Sequence, residues 1–243
     1  MFYFPMAGLS SRFTKAGYSK PKYFLNVCGG LNLFQASLKG FSHYFDSEDF
    51  CFIHLDQFIK GEVIRAWAAE IGLPAERCHT VGLSTSTKGQ ADSVRIGILG
   101  CGANLKEGVT VFNIDTIYHD FRKAENLGVG ANYLDVTSLP GEHWSFVAPN
   151  PVRPGVAQRV VEKQRISDLC SVGLYAFSSS QLFLDLYQDQ YAAGDPEKEE
   201  YVAPMYQGLI DAGETVFYRE LPRTRFDFLG TPKEYEDYLA SLL

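Results

Sequence analysis

The residues near the N-terminus whose types could do chemistry form a short loop rich in glycine, serine and cations. An apolar run over residues 1–6 ends near Gly8, and Ser10, Ser11 and Arg12 follow. A glycine removes side-chain bulk, so that backbone N–H groups can face phosphate oxygens, and an arginine supplies a bidentate cation. The pattern is typical of a strand that ends in a phosphate-binding loop, but an ordinary strand-to-loop turn can have the same sequence pattern.

Other charged residues that suit phosphate or metal chemistry lie further along the chain. Lys20 and Lys22 follow the loop, and Asp115 ends a β-branched run over residues 109–115. A carboxylate at the end of a strand is a suitable ligand for a hard ion such as Mg²⁺. The pair Glu162–Lys163 lies on a predicted strand, where by itself it would more often be a surface pair.

The elements that must position these residues alternate between strand and helix in the first half of the chain. Apolar spacing predicts strands over residues 1–6, 50–55, 78–81 and 109–115, and helices over 33–45, 58–71 and 91–99. Such alternation favours a mostly parallel sheet covered on both faces, with ligands bound outside the carboxyl ends of its strands. The loop, a polar turn over residues 84–90 and Asp115 should meet at that edge.

The second half of the chain is richer in strands. We predict strands over residues 127–134, 144–147, 158–162, 170–177 and 215–218, and helices over 181–191, 202–212 and 232–243, the last with Pro232 behind Thr231 as its cap. No linker separates the halves. We therefore expect an α/β fold, Rossmann-like, with a mixed but mostly parallel sheet and helices on both faces. A single domain would hold a nucleotide-binding half, about residues 1–125, and an acceptor-binding half, about 126–243.

Composition excludes several classes of partner. The net charge of −7 over 243 residues and the lack of a basic cluster argue against nucleic acid. The five cysteines show no C-x-x-C spacing, which predicts buried thiols in a reducing compartment rather than disulfides or zinc. No basic leader and no apolar run of membrane length is present, so we expect a cytoplasmic protein with no membrane partner.

Taken in order, these motifs resemble the signature of the sugar-phosphate nucleotidyltransferases, the nucleoside-diphosphate-sugar pyrophosphorylases. Residues 8–13 are similar to the family's G-x-G-[ST]-R-[LMF] opening, with Ser10 at its second glycine, and an apolar run follows Lys22 as it follows the family's lysine. The later matches are N-I-D ending at Asp115, E-K at Glu162–Lys163, G-x-Y-x-F from Gly173 and G-T-P at residues 230–232. The agreement in order and spacing covers nearly the whole chain.

The resemblance implies a role for each matched residue, and a fold that is similar to GT-A-type glycosyltransferases. Arg12 and Lys22 are expected to be catalytic, with Lys20 as the other candidate for the lysine, and Mg²⁺ to be bound by Asp115 and Asp227. The expected nucleotide contacts are Ala7, Gly8, Leu9, Ser10, Ser11, Gly89 and Gln90. The expected acceptor contacts are Glu162, Lys163 and Gly173, and in relatives the segment matching residues 199–201 also lies near the acceptor.

Two matches depart from the family pattern. Ser10 replaces a glycine, which is tolerable only if that backbone position needs neither a positive φ nor a very close approach. Asp227 lies three residues before Gly230, whereas the family's acid lies two before it. A local bulge could restore the geometry of this second metal ligand.

The resemblance implies transfer of a nucleoside monophosphate from a nucleoside triphosphate to a phosphorylated small molecule, plausibly for surface polysaccharide precursors. One alternative is a GT-A-type glycosyltransferase, but those usually carry D-x-D and residues 113–115 read N-I-D. The other is a non-catalytic nucleotide-binding relative, which we would expect to have lost Arg12, Lys22 or Asp115. A homo-oligomer, the nucleobase and the acceptor are left open, hexose 1-phosphates and phosphocholine-type molecules both being candidates.

Overall fold

Strands and helices alternate through the first half of the chain, as the apolar spacing predicts. The computed structural model describes residues 1–192 and 198–242. Its elements in this half are β1 (Phe2–Met6), α1 (Ser11–Lys15), α2 (Leu33–Lys39), β2 (Phe50–Leu55), α3 (Gly61–Glu70), β3 (Cys78–Leu83), α4 (Gln90–Gly100), β4 (Val109–Phe112) and β5 (Thr116–Tyr118).

The second half supplies most of the remaining strands. Its elements are β6 (Asn132–Ser138), β7 (Ser145–Pro149), β8 (Ala157–Glu162), β9 (Leu169–Phe177), α5 (Ser180–Tyr191), α6 (Met205–Asp211), β10 (Val216–Glu220), β11 (Phe226–Phe228) and α7 (Pro232–Ser241). Helix α7 begins as predicted, because Thr231 and Glu234 form a reciprocal capping box ahead of Pro232.

One sheet runs through both halves, in the order β10-β6-β9-β4-β1-β2-β3, with β7 and β8 attached beside β9. Six of the seven strands on this path run in the same direction, and β9 is reversed because it is antiparallel to both β4 and β6. Strands β5 and β11 form a separate antiparallel pair. The predicted α/β class with a mostly parallel sheet is confirmed.

Successive side chains of β1 point to opposite faces of the sheet and bury a core on each. Phe2 and Phe4 pack with Phe34 of α2 and other aromatic rings on one face. Tyr3 packs on the other face with Val94 of α4. Because both faces are covered, β1 consists of apolar and aromatic residues throughout, and it ends at the cleft.

Several predicted boundaries are wrong. The helices predicted over 58–71 and 202–212 begin three residues late, at Gly61 and Met205. The helix predicted over 33–45 stops at Lys39 and a separate 3-10 turn covers Ser42–Tyr44; between them Gly40 lies against Tyr118, where a Cβ would be 1.9 Å from the carbonyl oxygen. The strand predicted over 109–115 stops at Phe112, so Asp115 lies in the turn before β5. The strand predicted over 127–134 begins only at Asn132, after a 3-10 turn at Glu125–Leu127.

No helix within residues 1–192 and 198–242 has both the length and the apolar character needed to cross a membrane.

Candidate active site

A cleft of about 600 Å³ opens at the carboxyl ends of β1 and β4. Most of the residues predicted to form the site line this cleft, although they come from both halves of the chain. They are Ala7, Gly8, Leu9, Ser10, Ser11, Arg12, Lys22, Gly89, Gln90, Asp115, Glu162, Lys163 and Gly173. Asp227 and Lys20 are not among the residues that line the cleft.

The loop after β1 leaves room for a ligand and is fixed by a contact to Lys22. A Cβ on Gly8 would meet nothing within 4 Å, so this position faces open space. Ser10 is left-handed, with φ of 51°, and its Oγ accepts a 3.3 Å hydrogen bond from the backbone N–H of Lys22. A serine at position 10 was expected to be tolerated only on the condition that φ is not positive, and this condition is not met. Serine adopts the left-handed conformation here at a cost of about 1–2 kcal/mol. The hydroxyl contact joins the loop to the catalytic lysine candidate.

Lys22 and Asp115 form an ion pair inside the cleft. Lys22 Nζ donates to Asp115 Oδ2 over 2.5 Å, and both side chains keep about a fifth to a quarter of their surface exposed. Lys20 lies elsewhere, with its Nζ 5.4 Å from the centroid of the Phe24 ring. The geometry favours Lys22 over Lys20 as the residue that meets a ligand in the cleft.

Asp227 does not line the cleft that contains Asp115, so the structure gives no support to the predicted second metal ligand. Asp227 is the middle residue of β11, between the buried Phe226 and Phe228, so alternation turns its side chain away from the core. Its Oδ2 lies 2.7 Å from His119 Nε2. No bulge restores the family geometry, since β11 pairs with β5 in continuous register.

Gly173, Asn113 and Gln90 form a chain of close contacts across the cleft floor. Gly173 has φ of +84°, and a Cβ there would lie 2.5 Å from Asn113 Nδ2. Asn113 accepts a hydrogen bond from the side-chain amide of Gln90, the first residue of α4. Gly173 is thus glycine for both its conformation and the approach of Asn113.

The end of the cleft predicted to hold the acceptor carries one cation among carboxylates and aromatic rings. Burial raises the pKa of Glu162, while a hydrogen bond from Ser145 Oγ and the nearby Lys163 act in the opposite direction. Lys163 has φ of 55°, and its Nζ lies 4.4 Å from the Tyr201 ring centroid and donates to the Tyr201 hydroxyl. Trp144 also lines this end and packs edge-on against Phe228 at 5.0 Å.

Sequence reasoning missed several residues that line the cleft. Asn113 stood inside the N-I-D motif but was given no role, and its amide could have been noted as a polar group at a strand end. Trp144 and Glu234 also line the cleft. Nothing in the spacing of these two residues indicated a place in the cleft. Glu234 is also explained by its role in the capping box of α7.

Comparison with solved structures identifies the family. Over 99% of this chain and all of the other, the fold and sequence are similar to the nucleoside-diphosphate-sugar pyrophosphorylase from Vibrio cholerae RC9, with 36% identity and a TM-score of 0.90. The chain belongs to the nucleoside-diphosphate-sugar pyrophosphorylase family. No family model and no curated protein matches the sequence.

Two more distant structures share the fold of this family. A putative glucose-1-phosphate thymidylyltransferase from Bacillus anthracis is 16% identical over 99% of this chain and 94% of its own, with a TM-score of 0.75. The inositol-1-phosphate CTP transferase from T. maritima is 13% identical over 98% and 93%, with a TM-score of 0.71. At these levels of identity the two structures show the shared fold.

Asp115 is the residue of the cleft that would hold Mg²⁺. This ion is commonly held by one or two carboxylates together with substrate phosphates, so a carboxylate beside the loop predicted to bind phosphates fits it. Within residues 1–192 and 198–242, no group of three His, Cys, Asp or Glu side chains is arranged to hold a metal ion.

Proposed function

We propose that this chain transfers a nucleoside monophosphate from a nucleoside triphosphate to a phosphorylated small molecule and releases pyrophosphate. An acceptor phosphate oxygen would attack the α-phosphorus in line with the leaving pyrophosphate. Such a reaction asks the protein mainly to position two polyanions and to neutralise charge in the transition state. The product would be an activated building block, and we propose surface polysaccharide synthesis as its use.

One observation carries the proposal: Arg12, Lys22, Asp115 and Lys163, which are distant in sequence, line one cleft. Outside such a site, three cations and an acid converging on an open cavity have no obvious structural purpose. Three cations in one cleft suit a reaction between two phosphorylated substrates.

The proposed roles follow from position. Arg12 and the N–H groups of residues 8–11 would bind the β- and γ-phosphates, and Lys22 would bind the α-phosphate. Gly89 and Gln90 would meet the base. Mg²⁺ held at Asp115 would supply further charge neutralisation.

The acceptor would lie against the part of the cleft that Glu162 and Lys163 line. The Lys163 ammonium would move off the Tyr201 ring and bind the phosphate of the acceptor. Glu162 would accept hydrogen bonds from the hydroxyl groups of the acceptor. Gly173 would contact the acceptor through its backbone, since Asn113 fills the space where its Cβ would be.

The test is a pyrophosphate-release assay that crosses the nucleoside triphosphates with glucose 1-phosphate, inositol 1-phosphate and phosphocholine. Each pair is run with Mg²⁺ and with a chelator. We expect release for at least one pair and its loss in chelator. No release from any pair would overturn the catalytic proposal, and release in chelator would overturn the role of Asp115.

A further inference from the structure

The turn before α4 touches a segment from the other half of the chain, residues 199–201, which we call the bridging segment. The Glu200 N–H donates to the Lys88 carbonyl over 3.1 Å, and the Ala91 N–H donates to the Glu200 carbonyl over 2.9 Å. A Cβ on Gly89 would lie 2.4 Å from the Glu200 oxygen and 2.5 Å from its nitrogen. Gly89 is therefore glycine because another backbone occupies the space, since its own φ of 161° is ordinary extended backbone.

The Glu200 side chain stabilises the contact between the bridging segment and the turn before α4. It is 2% exposed, and its carboxylate accepts a 2.6 Å hydrogen bond from the Tyr187 hydroxyl. Its other oxygen lies 3.8 Å from Lys88 Nζ. Burial and the Glu200 carboxylate both raise the pKa of Tyr187, so the hydroxyl keeps its proton and remains a donor. A buried carboxylate held by a tyrosine and a lysine anchors the segment to α5 and to the turn.

The residues on either side of Glu200 face the acceptor end of the cleft. Glu199 and Tyr201 both line it, and the Tyr201 hydroxyl contacts both the Glu199 carboxylate and Lys163 Nζ. The Tyr201 carbonyl accepts a 2.5 Å hydrogen bond from the Tyr191 hydroxyl. A shift of Glu200 would therefore move the ring on which Lys163 rests.

We propose that Glu200 is a positioning residue that couples the nucleotide turn to the acceptor end of the cleft. This inference rests on the proposed function. A nucleoside triphosphate that contacts Gly89 and Gln90 restrains the turn before α4. The backbone hydrogen bonds between this turn and Glu200 extend the restraint to the bridging segment. Tyr201 and the Lys163 ammonium that contacts it are then restrained as well. The nucleotide thereby prepares the acceptor contacts before any acceptor arrives.

The test is hydrogen exchange of the whole chain, measured by mass spectrometry with and without each nucleoside triphosphate and Mg²⁺. Slower exchange over residues 7–13 reports nucleotide binding. We expect the same nucleotide to slow exchange over residues 198–203 roughly tenfold with no acceptor present.

Variants separate positioning from a merely structural role. Glu200→Ala should lose the nucleotide-dependent protection of residues 198–203 while keeping that of residues 7–13. Glu200→Gln should retain most of it, because the amide oxygen still accepts the Tyr187 hydroxyl. Glu214→Ala, which removes an exposed acid away from these contacts, is the matched control and should behave as the unmodified chain does.

The outcomes distinguish the two proposals. Protection of residues 7–13 without protection of 198–203 in the unmodified chain would overturn the coupling and leave the proposed function intact. Unchanged protection at both segments in Glu200→Ala would overturn the role of Glu200. Protection of neither segment by any nucleoside triphosphate would overturn the proposed function and this inference with it.

Discussion

Removal of the Lys22 ammonium tests the proposed chemistry most directly. In Lys22→Met the apolar stem remains while the charge that pairs with Asp115 is lost. A cation that stabilises charge mainly in the transition state is worth about 10²–10³ in kcat, or about 2.7–4 kcal/mol. We therefore expect the pyrophosphate-release rate to fall by about that factor.

The same pair contributes little to folding, because both partners are partly exposed. Their side chains are 25% and 20% accessible, and pairs of this kind contribute about 0–1 kcal/mol. The free energy of unfolding in urea should change by no more than that. A large loss of rate with a small loss of stability is the signature of a catalytic role.

Lys20→Met is the matched control, since it removes the same charge two residues earlier. Its ammonium lies against the Phe24 ring and does not line the cleft. The rate should change by less than about threefold. A larger loss in Lys20→Met than in Lys22→Met would show that the wrong lysine was chosen, and equal losses would refute the geometric argument.

Four further substitutions test the site and the core. Asp115→Asn should lower pyrophosphate release by about 10²–10³, whereas Asp227→Asn should change it by less than about threefold because that carboxylate faces His119; equal effects in the assay would restore Asp227 as a ligand. Arg219→Met should lower the free energy of unfolding in urea by about 3–5 kcal/mol, because it leaves the fully buried Asp135 without its bidentate partner. Gly173→Ala should lower the same free energy by about 2–4 kcal/mol through its positive φ and the clash with Asn113, and an unchanged urea midpoint would contradict this.

The sequence predicted the fold class and the family because both depend on local patterns. Apolar spacing marks each strand and helix, and strand ends carry the motifs. The prediction that the loop at residues 8–12 and Asp115 lie at one site needed only the rule that parallel strands end at one edge, whereas the place of Lys22 followed from the family resemblance. Their roles stay predictions until activity is measured.

What could not be predicted depends on contacts between distant backbones. Nothing in the letters around Gly89 indicates that Glu200 lies against it. The direction of the Asp227 side chain follows from where β11 pairs, and β11 is too short to show periodicity. The left-handed backbone at Ser10 could not be predicted either, because the hydrogen bond that its hydroxyl accepts comes from Lys22, twelve residues further along the chain.

The reversed strand β9 has a consequence for how the chain acquires its structure during synthesis. β4 pairs with β1 on one side and with β9 on the other. Until residue 177 has left the ribosome, β4 presents an unpaired edge of buried, β-branched and aromatic residues. We therefore expect the first half of the chain to be prone to aggregation until β9, which is distant in sequence, pairs with β4. A chain cut near residue 125 should yield two insoluble fragments, since one sheet needs strands from both.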